Sequence, residues 1–320
     1  SQCLRQQSDT VCNYMRQHNR SYTGQEMTSR VKLLKNIKRV VDGVEFGLTS
    51  RSDRFFHEKQ RNIHLKKHHI VKRSPIQQHV HLTTSPKLPP IDWRNINGKN
   101  HVTPVKDQGS CGGCFAFASA AVLEFWSDTS MGTPTSLSEQ SLMDCTSNSY
   151  QPNEGCDGGL MEYVFEYAKT HPVPLESEFP YRNSEHQCPQ RELTRVKVDN
   201  YKVLTRLEKA DAEAELEWIL HTYGPVSVGI DSTNIDNYSG GIFKAHMCST
   251  EIDHAVTIVG YTKDAWIIKN SWGLNWGVDG YLYLERGANA CGVAEYIVYI
   301  TSANPESKTL STQWSPTDDW

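Results

Sequence analysis

The chain has 320 residues, enough for one large domain or two smaller ones, each with its own apolar core. It contains no run of roughly eighteen apolar residues, so we expect no membrane-spanning helix. The net charge of −4 hides an asymmetry, because residues 1–87 carry 17 Lys+Arg and 6 Asp+Glu while residues 88–320 carry 16 and 31. A basic first segment should attract an acidic body. The alternative, an arm that binds nucleic acid, is disfavoured because few aromatic residues interleave the basic ones.

The N-terminal segment, residues 1–87, is polar and shows helical periodicity in "SRVKLLKNIKRVVDGV". There Val31, Leu34 and Val41 can share one face of a helix. The stretch "SPKLPPIDW" is punctuated by prolines and predicts a link between this segment and the body. We therefore place a domain boundary at residue 87.

The body changes character along its length. The apolar stretch that follows Cys111 predicts a buried helix, and "ADAEAELEWILHTYG" predicts a second one that stops at Gly224-Pro225. Short strands come next: "VSVGI", "HAVTIVGY", "AWIIKN", "YLYLER" and "YIVYI". Helices followed by strands predict an α+β protein with two lobes and a cleft between them. Residues 303–320 are interpreted as a polar tail.

The nine cysteines suggest four disulfides and one remaining thiol, as in an oxidising compartment. The start at Ser1, without a signal sequence, is interpreted as already trimmed. Two N-x-S/T triplets, at Asn19 and Asn237, are candidate glycosylation sites and agree with a secretory route. The expected location is therefore the secretory route.

Cys111 and Cys114 form a C-x-x-C pair at the start of the predicted buried helix. A redox couple is one interpretation, but the βαβ context that usually accompanies it is missing. A zinc site is another, but the other cysteines are dispersed singly and not in ligand pairs. The third interpretation makes one cysteine structural and Cys114 a nucleophile, because a helix N-terminus lowers a thiol pKa. A histidine beside that thiolate, oriented by an acceptor, would complete the activation.

Four blocks carry a resemblance: "QGSCGGCFAFA", "GCDGGLMEYVFEYA", "DHAVTIVGY" and "IIKNSWGLNWGVDGYLYL". In order and spacing they resemble the signatures of papain-family cysteine proteases, cathepsin L-like ones in particular, over roughly residues 88–302. The resemblance implies a papain-like two-lobe fold, with a helical lobe at roughly 100–200 and an antiparallel β-barrel lobe at roughly 201–302. It also implies that residues 1–87 are a mainly helical inhibitory propeptide.

The resemblance assigns roles to individual residues. Cys114 is the nucleophile, His254 the general base and acid, and Asn270 the residue that orients the histidine. Gln108 contributes to the oxyanion hole with the Cys114 backbone N–H. Trp272 and Asp253 are supporting residues, the first covering the Asn270–His254 hydrogen bond and the second modulating the Cys–His pair.

The resemblance also implies the substrate-binding residues. Glycines at 158 and 159 let the substrate backbone approach. A pocket is expected for the side chain of the second residue before the cut. Its base is Tyr296, and its walls are Leu160, Met161, Gly229 and Ala255. Its apolar walls predict hydrophobic side chains, and the bulk of Tyr296 at the base predicts Leu or Val over Phe.

The disulfides implied by the resemblance are Cys111–Cys156, Cys145–Cys188 and Cys248–Cys291. Cys3 and Cys12 remain, and we expect them to close a small loop in the N-terminal segment. The short span between Cys145 and Cys156 leaves no room for an occluding loop, which predicts endopeptidase action. No cofactor and no metal are expected.

The expected partners are protein and peptide substrates, the chain's own propeptide, and cystatin-like inhibitors, with the enzyme a monomer. The charge asymmetry predicts release of the propeptide when carboxylates are protonated, around pH 4. Phe115 departs from the family, which has tryptophan after the nucleophile. For that reason the alternative function is that of a binding protein, a homologue whose catalysis is weakened. A disulfide-exchange enzyme is a second, separate alternative.

Overall fold

The protein is described by a computed structural model. The described residues are 9–18, 20–22, 30, 34, 37, 39–49, 51–52, and 88–305 apart from 132, 149–150, 190–195 and 206–208. Five helices have their bounds among them: α1 Asp9–Gln17, α2 Cys114–Met131, α3 Glu139–Cys145, α4 Met161–Ala168 and α5 Lys209–Tyr223. Arg30 and Leu34 are also helical. Three single-turn 3-10 helices lie at Gly155–Asp157, Ala245–Met247 and Ala290–Gly292.

The strands group into two main sheets and one short pair. They are β1 Arg39–Val41, β2 Val44–Phe46, β3 Ile91–Asp92, β4 Ser147–Asn148, β5 Gln151–Pro152, β6 Val196–Thr205, β7 Val226–Ile230, β8 Tyr238–Gly240, β9 Ile242–Phe243, β10 His254–Tyr261, β11 Ala265–Lys269, β12 Tyr281–Glu285 and β13 Tyr296–Pro305. The eight-stranded sheet has the order β6-β13-β7-β10-β11-β12-β9, with β3 on β10. All its pairs are antiparallel except β12–β9.

The helix predicted across residues 29–44 is wrong in its second half. Leu34 is helical and buried, and Val31 lies outside the described residues. Val41 does not share the Leu34 face, because it ends β1, which forms a hairpin with β2. Asp42 and Gly43 both have positive φ, 50° and 77°, as a two-residue type I′ turn requires. The Asp-Gly signal between β-branched residues overrides the helical periodicity.

This hairpin extends a sheet of the body. β2 pairs antiparallel with β8, so residues of the N-terminal segment add two strands to the edge of a body strand. Val44 and Phe46 point into the core of the strand-rich lobe, and the Phe46 ring meets Phe243 with centroids 6.3 Å apart. The N-terminal segment is thus attached by main-chain pairing as well as by apolar burial.

The body has two large apolar clusters, as expected for two lobes, and a smaller one around Val102, Val259 and Ile267. One large cluster is centred on the sheet and α5, and the other surrounds α2 and α4. Most of α2 is apolar or small on every side, because it is buried between α3, α4 and the sheet. The Ala118 carbonyl of α2 accepts hydrogen bonds from Ser227 Oγ at 2.9 Å and Thr257 Oγ1 at 3.0 Å. These bonds fix α2 on strands β7 and β10.

Three disulfides staple the body, at Cys111–Cys156, Cys145–Cys188 and Cys248–Cys291. They are the pairings that the resemblance implied. Cys12 is disulfide-bonded, whereas Cys3, its expected partner, lies outside the described residues. Cys114 takes part in no disulfide and is buried. The C-x-x-C is therefore neither a redox couple nor half of a zinc site.

A buried charged cluster joins the lobes. Lys106 Nζ lies 2.7 Å from Glu124 Oε1 on α2 and 2.5 Å from Glu139 Oε1 on α3. Lys269 Nζ on β11 donates to Thr103 Oγ1 at 2.8 Å, and Thr103 Oγ1 donates to Glu124. Glu124 Oε1 also accepts the Leu137 N–H at 2.9 Å. Such a cluster requires all of its partners, because an unpaired buried charge is costly.

Candidate active site

Cys114 occupies the first position of α2. Gly113 precedes the helix and its carbonyl accepts the N–H of Phe117 at 3.3 Å. The first N–H groups of an α-helix have no partner within the helix and carry partial positive charge. A thiolate at this position is stabilised by them, which is the condition that a cysteine nucleophile needs. Phe115, the departure from the family pattern, is fully buried behind it.

His254 begins β10 and is held by Asn270, which follows β11. The two strands pair antiparallel, and His254 Nε2 lies 2.8 Å from Asn270 Oδ1. Because the amide oxygen only accepts, Nε2 carries the hydrogen and Nδ1 keeps a lone pair. Nδ1 is buried without a hydrogen-bond partner in the part of the chain that the structure describes. The ring therefore keeps an unpaired lone pair at Nδ1, which is what a base at this position would need.

One hydrogen bond ties the cysteine helix to the histidine strand. Thr257 lies three residues along β10 from His254, and its hydroxyl donates to the carbonyl of Ala118, one turn along α2 from Cys114. Cys114 and Ala255, the residue after the histidine, belong to the same buried apolar cluster. The fold thus brings together the helix that begins at Cys114 and the strand that begins at His254, although 140 positions separate these residues in the sequence.

Gln108 is buried next to the start of α2. Its Nε2 donates to the Cys111 carbonyl at 2.9 Å, and its Oε1 accepts from Ser271 Oγ at 2.6 Å. An amide NH₂ has two hydrogens, so the group can serve an oxyanion in addition to this carbonyl. Ser271 is a residue that sequence analysis missed. It fixes which end of the amide points towards Cys111.

Trp272 covers the histidine, and Arg51 of the N-terminal segment covers Trp272. The indole stacks on the His254 ring with centroids 4.7 Å apart and planes inclined by 28°. On the indole, the Arg51 guanidinium carbon lies 3.7 Å from the ring centroid. Burial lowers the pKa of His254 to about 4, the Asn270 hydrogen bond opposes this, and the Arg51 charge lowers the pKa further.

A family model described as "Papain family cysteine protease" matches residues 88–301. The chain belongs to the papain family of cysteine proteases.

Curated relatives and solved structures agree with this membership. A thiol protease of Hemerocallis sp. is 40% identical over 235 residues, which cover 68% of this chain and 62% of that protein. Cysteine proteinase 5 of Dictyostelium discoideum is 33% identical over 325 residues, covering 90% of this chain and 91% of its own length. The structure of a digestive procathepsin L 3 from Tenebrio molitor larval midgut has a TM-score of 0.74 at 29% identity. That match covers 90% of this chain and 97% of the other, so it includes residues of the N-terminal segment.

The residues expected to form the specificity pocket are buried close together. Gly229 on β7 pairs with Ala255 on β10, and the neighbouring β13 begins at Tyr296. Leu160, Met161, Ala255 and Tyr296 belong to the same apolar cluster. The Tyr296 hydroxyl is buried with no hydrogen-bond partner among the described residues.

The backbone conformation and the packing around positions 158 and 159 favour glycine there. Gly158 has φ 105°, which disfavours any other residue. A Cβ at Gly159 would collide with the side chain of Asn153, whose Oδ1 accepts the Leu160 N–H at 2.7 Å. This packing requires glycine at 159 before any substrate binds.

Asp253 has a structural contact that the sequence did not indicate. Its carboxylate accepts the N–H of Ser232 at 2.8 Å. Burial raises the pKa of Asp253 to about 6, the bonds from Ser232 oppose this, and Asp231 and Asp236 raise it further. Its modulation of the Cys–His pair stays a prediction.

Of the two candidate glycosylation sites, Asn237 lies among the described residues. Asn19 lies outside the described residues. Asn237 is half-buried against the N-terminal segment, since its Oδ1 accepts from Ser52 Oγ at 2.9 Å and its carbonyl accepts the Gly47 N–H at 2.9 Å. Its glycosylation stays a prediction.

Sequence analysis missed Arg51 and Asp236. Arg51 Nε donates to Asp236 Oδ1 at 2.8 Å, and the Thr49 hydroxyl donates to the Asp236 carbonyl at 2.7 Å. No local motif marks either residue, and 185 positions separate them. The sequence did show that residues 1–87 and 88–320 carry opposite net charges. This predicts that the two segments attract each other, but it does not predict which two side chains form an ion pair.

No group of three or more His, Cys, Asp or Glu side chains among the described residues is arranged to hold a metal ion. None of the helices described is both long and apolar enough to span a membrane.

Proposed function

We propose that the protein is a cysteine endopeptidase that hydrolyses peptide bonds with Cys114, His254 and Asn270. The supporting observation is the buried His254–Asn270 hydrogen bond on strands tied to α2 one turn from Cys114. His254 Nδ1 takes the thiol proton, and the Cys114 thiolate attacks the peptide carbonyl carbon. Asn270 holds the imidazole in the tautomer that this transfer needs.

The oxyanion formed by this attack is stabilised by the Gln108 amide and the Cys114 backbone N–H. The imidazolium then gives its proton to the departing amine as the C–N bond breaks. Water attacks the resulting thioester with His254 as the base. This releases the carboxylic acid product and regenerates the Cys114 thiol. A fluorogenic dipeptide substrate at acid pH tests this function, and also separates it from a weakened binding homologue, which would not cleave it.

The N-terminal segment is proposed to keep the enzyme latent in a secreted or lysosomal zymogen. The hairpin adds two strands beside β8, and Arg51 buries its guanidinium on Trp272, next to the histidine. Burial, and to a smaller extent the Arg51 charge, lowers the pKa of His254 while the segment is docked, so the imidazolium that accompanies a thiolate is disfavoured. Release of the segment removes the Arg51 charge. The processed enzyme is proposed to be a monomer that cystatin-like inhibitors recognise.

The low pKa of His254 predicts activation by acid. Burial and the Arg51 charge hold the pKa of His254 at about 4 with the segment docked, and we expect a higher pKa once the Arg51 charge is removed, so protonation favours the undocked state. In Cys114→Ala protein, where no thiol can give its proton to the imidazole, docking should therefore weaken as the pH falls from about 6.5, the ordinary histidine pKa, towards 4. In Cys114→Ala protein, which cannot process itself, Arg51→Gln should raise the His254 pKa measured by NMR.

The same substitution in the active chain should shift the processing profile to higher pH. Lys169→Gln, which removes a cation from an exposed pair with Glu166, is the matched control and should change neither quantity. Processing equally fast at pH 7 and pH 4.5 would contradict this account of latency.

The pocket predicts a preference at the second residue before the cut. Tyr296 fills the base, so Leu or Val should be cleaved better than Phe, with an expected ratio of about tenfold. Tyr296→Ala should remove the ring and reverse the order, whereas Tyr296→Phe, which keeps the ring, should retain it. A peptide library with this position varied measures both; a preference for arginine there would show that the pocket is assigned wrongly.

A further inference from the structure

Arg51 lies between a carboxylate and an indole ring that both belong to the body. Its Nε donates to Asp236 Oδ1 at 2.8 Å, with the side chains 2% and 4% exposed, and its Cζ lies 3.7 Å from the Trp272 centroid. The carboxylate supplies a charge-assisted hydrogen bond and the indole face a cation–π contact. This combination suits the planar, delocalised guanidinium better than a compact ammonium.

The body holds this pair of groups in place by itself. Trp276 Nε1 donates to the carbonyl of Ile235, the residue before Asp236, at 3.0 Å. The Trp276 ring contacts the Trp272 ring, with centroids 5.1 Å apart. The Tyr238 hydroxyl donates to the Gly241 carbonyl at 2.7 Å, which braces the chain after Asp236. Each of these contacts joins residues of the body, so they persist when the N-terminal segment leaves.

We propose that Asp236 and Trp272 form a guanidinium subsite, which Arg51 occupies in the zymogen and a substrate arginine on the leaving-group side of the cut occupies in the processed enzyme. The inference rests on the proposed function and adds a substrate class to it. The N-terminal segment is then an inhibitor that uses the same recognition as the substrate.

The leaving-group side follows from the chemistry of His254. The imidazole gives its proton to the departing amine, so the residue that carries this amine lies against the histidine. Trp272 stacks on the same ring, 4.7 Å away. The pocket assigned to the second residue before the cut uses a different set of residues, centred on Met161 and Ala255. A side chain directly after the cut therefore reaches Trp272 and Asp236.

Three quenched fluorescent peptides test the proposal on the processed enzyme. They are identical except for the first residue after the cut, which is arginine, citrulline or leucine. Citrulline has the shape of arginine without its charge, so kcat/KM should be about tenfold higher for arginine than for citrulline. Asp236→Asn should reduce this ratio to about one. Asp264→Asn, which removes a carboxylate from the exposed turn between β10 and β11, should leave it unchanged.

The outcomes separate the subsite from the function. An arginine-to-citrulline ratio near one in the unmodified enzyme, or a high ratio that survives Asp236→Asn, would overturn the subsite while leaving the protease intact. Cleavage of none of the three peptides would overturn the proposed function and this inference with it.

A second measurement needs no protein variant. A synthetic peptide of residues 39–52 should inhibit the processed enzyme, and replacing its arginine at position 51 by citrulline should weaken inhibition about tenfold. Equal inhibition by the two peptides would contradict the subsite.

Discussion

Cys114→Ala is expected to abolish peptide hydrolysis while the chain still folds. Loss of the nucleophile from a catalytic unit costs on the order of 10⁶-fold in kcat. The fold should tolerate the change because alanine fits the space of a buried thiol that no disulfide uses. The measurement is kcat/KM on a fluorogenic peptide together with the unfolding midpoint.

The helix itself offers a matched control for this substitution. Ser119 on α2 is fully buried, and its hydroxyl has no hydrogen-bond partner among the described residues, so Ser119→Ala removes one heavy atom and should keep activity. Because Cys114 and His254 are proposed to act as a unit, the double Cys114→Ala/His254→Ala variant should be no slower than either single variant. Substantial cleavage by Cys114→Ala would show that another group is the nucleophile.

Glu124→Ala is expected to have the largest effect on stability. Glu124 is 1% exposed and joins Lys106, Thr103 and Leu137 in one cluster. Its removal leaves the buried Thr103 hydroxyl and the Leu137 N–H without their acceptor and takes away one of the two carboxylates that Lys106 contacts, so the free energy of unfolding should fall by about 3–5 kcal/mol. The carboxylate is ionised in the folded protein because Lys106 and Lys269 lower its pKa against the effect of burial.

An exposed acid on a neighbouring helix provides the comparison. Glu166 on α4 pairs with Lys169 at 3.4 Å, and both side chains are well exposed. Glu166→Ala should therefore cost less than about 1 kcal/mol. Urea unfolding of the two variants, both in Cys114→Ala protein, gives the difference directly. Equal losses would mean that the cluster does not hold the lobes together.

Local patterns predicted the secondary structure of the body well. The helix at residues 209–223 and the strands at 226–230 and 254–261 follow from periodicity and from glycine and proline signals. The hairpin at residues 39–46 was missed because its apolar residues also fit a helical period. There the Asp42-Gly43 turn decided the structure, and it outweighs a short apolar pattern.

Some residues of the candidate site could likewise be named from the sequence, whereas others could not. The resemblance named Cys114, His254 and Asn270, and the fold brings the elements that carry them together. Arg51 and Asp236 could not be paired from the sequence, because their partnership depends on how a hairpin from one segment docks beside β8. Buried ion pairs between distant segments leave no periodic trace, so only the folded chain reveals them.

The pH dependence of alkylation measures directly whether His254 ionises Cys114. The processed enzyme is treated with iodoacetamide from pH 4 to 9, and modification of Cys114 is followed by mass spectrometry. The account predicts rapid alkylation well below pH 7, and a shift in His254→Asn protein towards about 8.5, the ordinary pKa of cysteine. An alkylation profile centred near 8.5 in both proteins would contradict it.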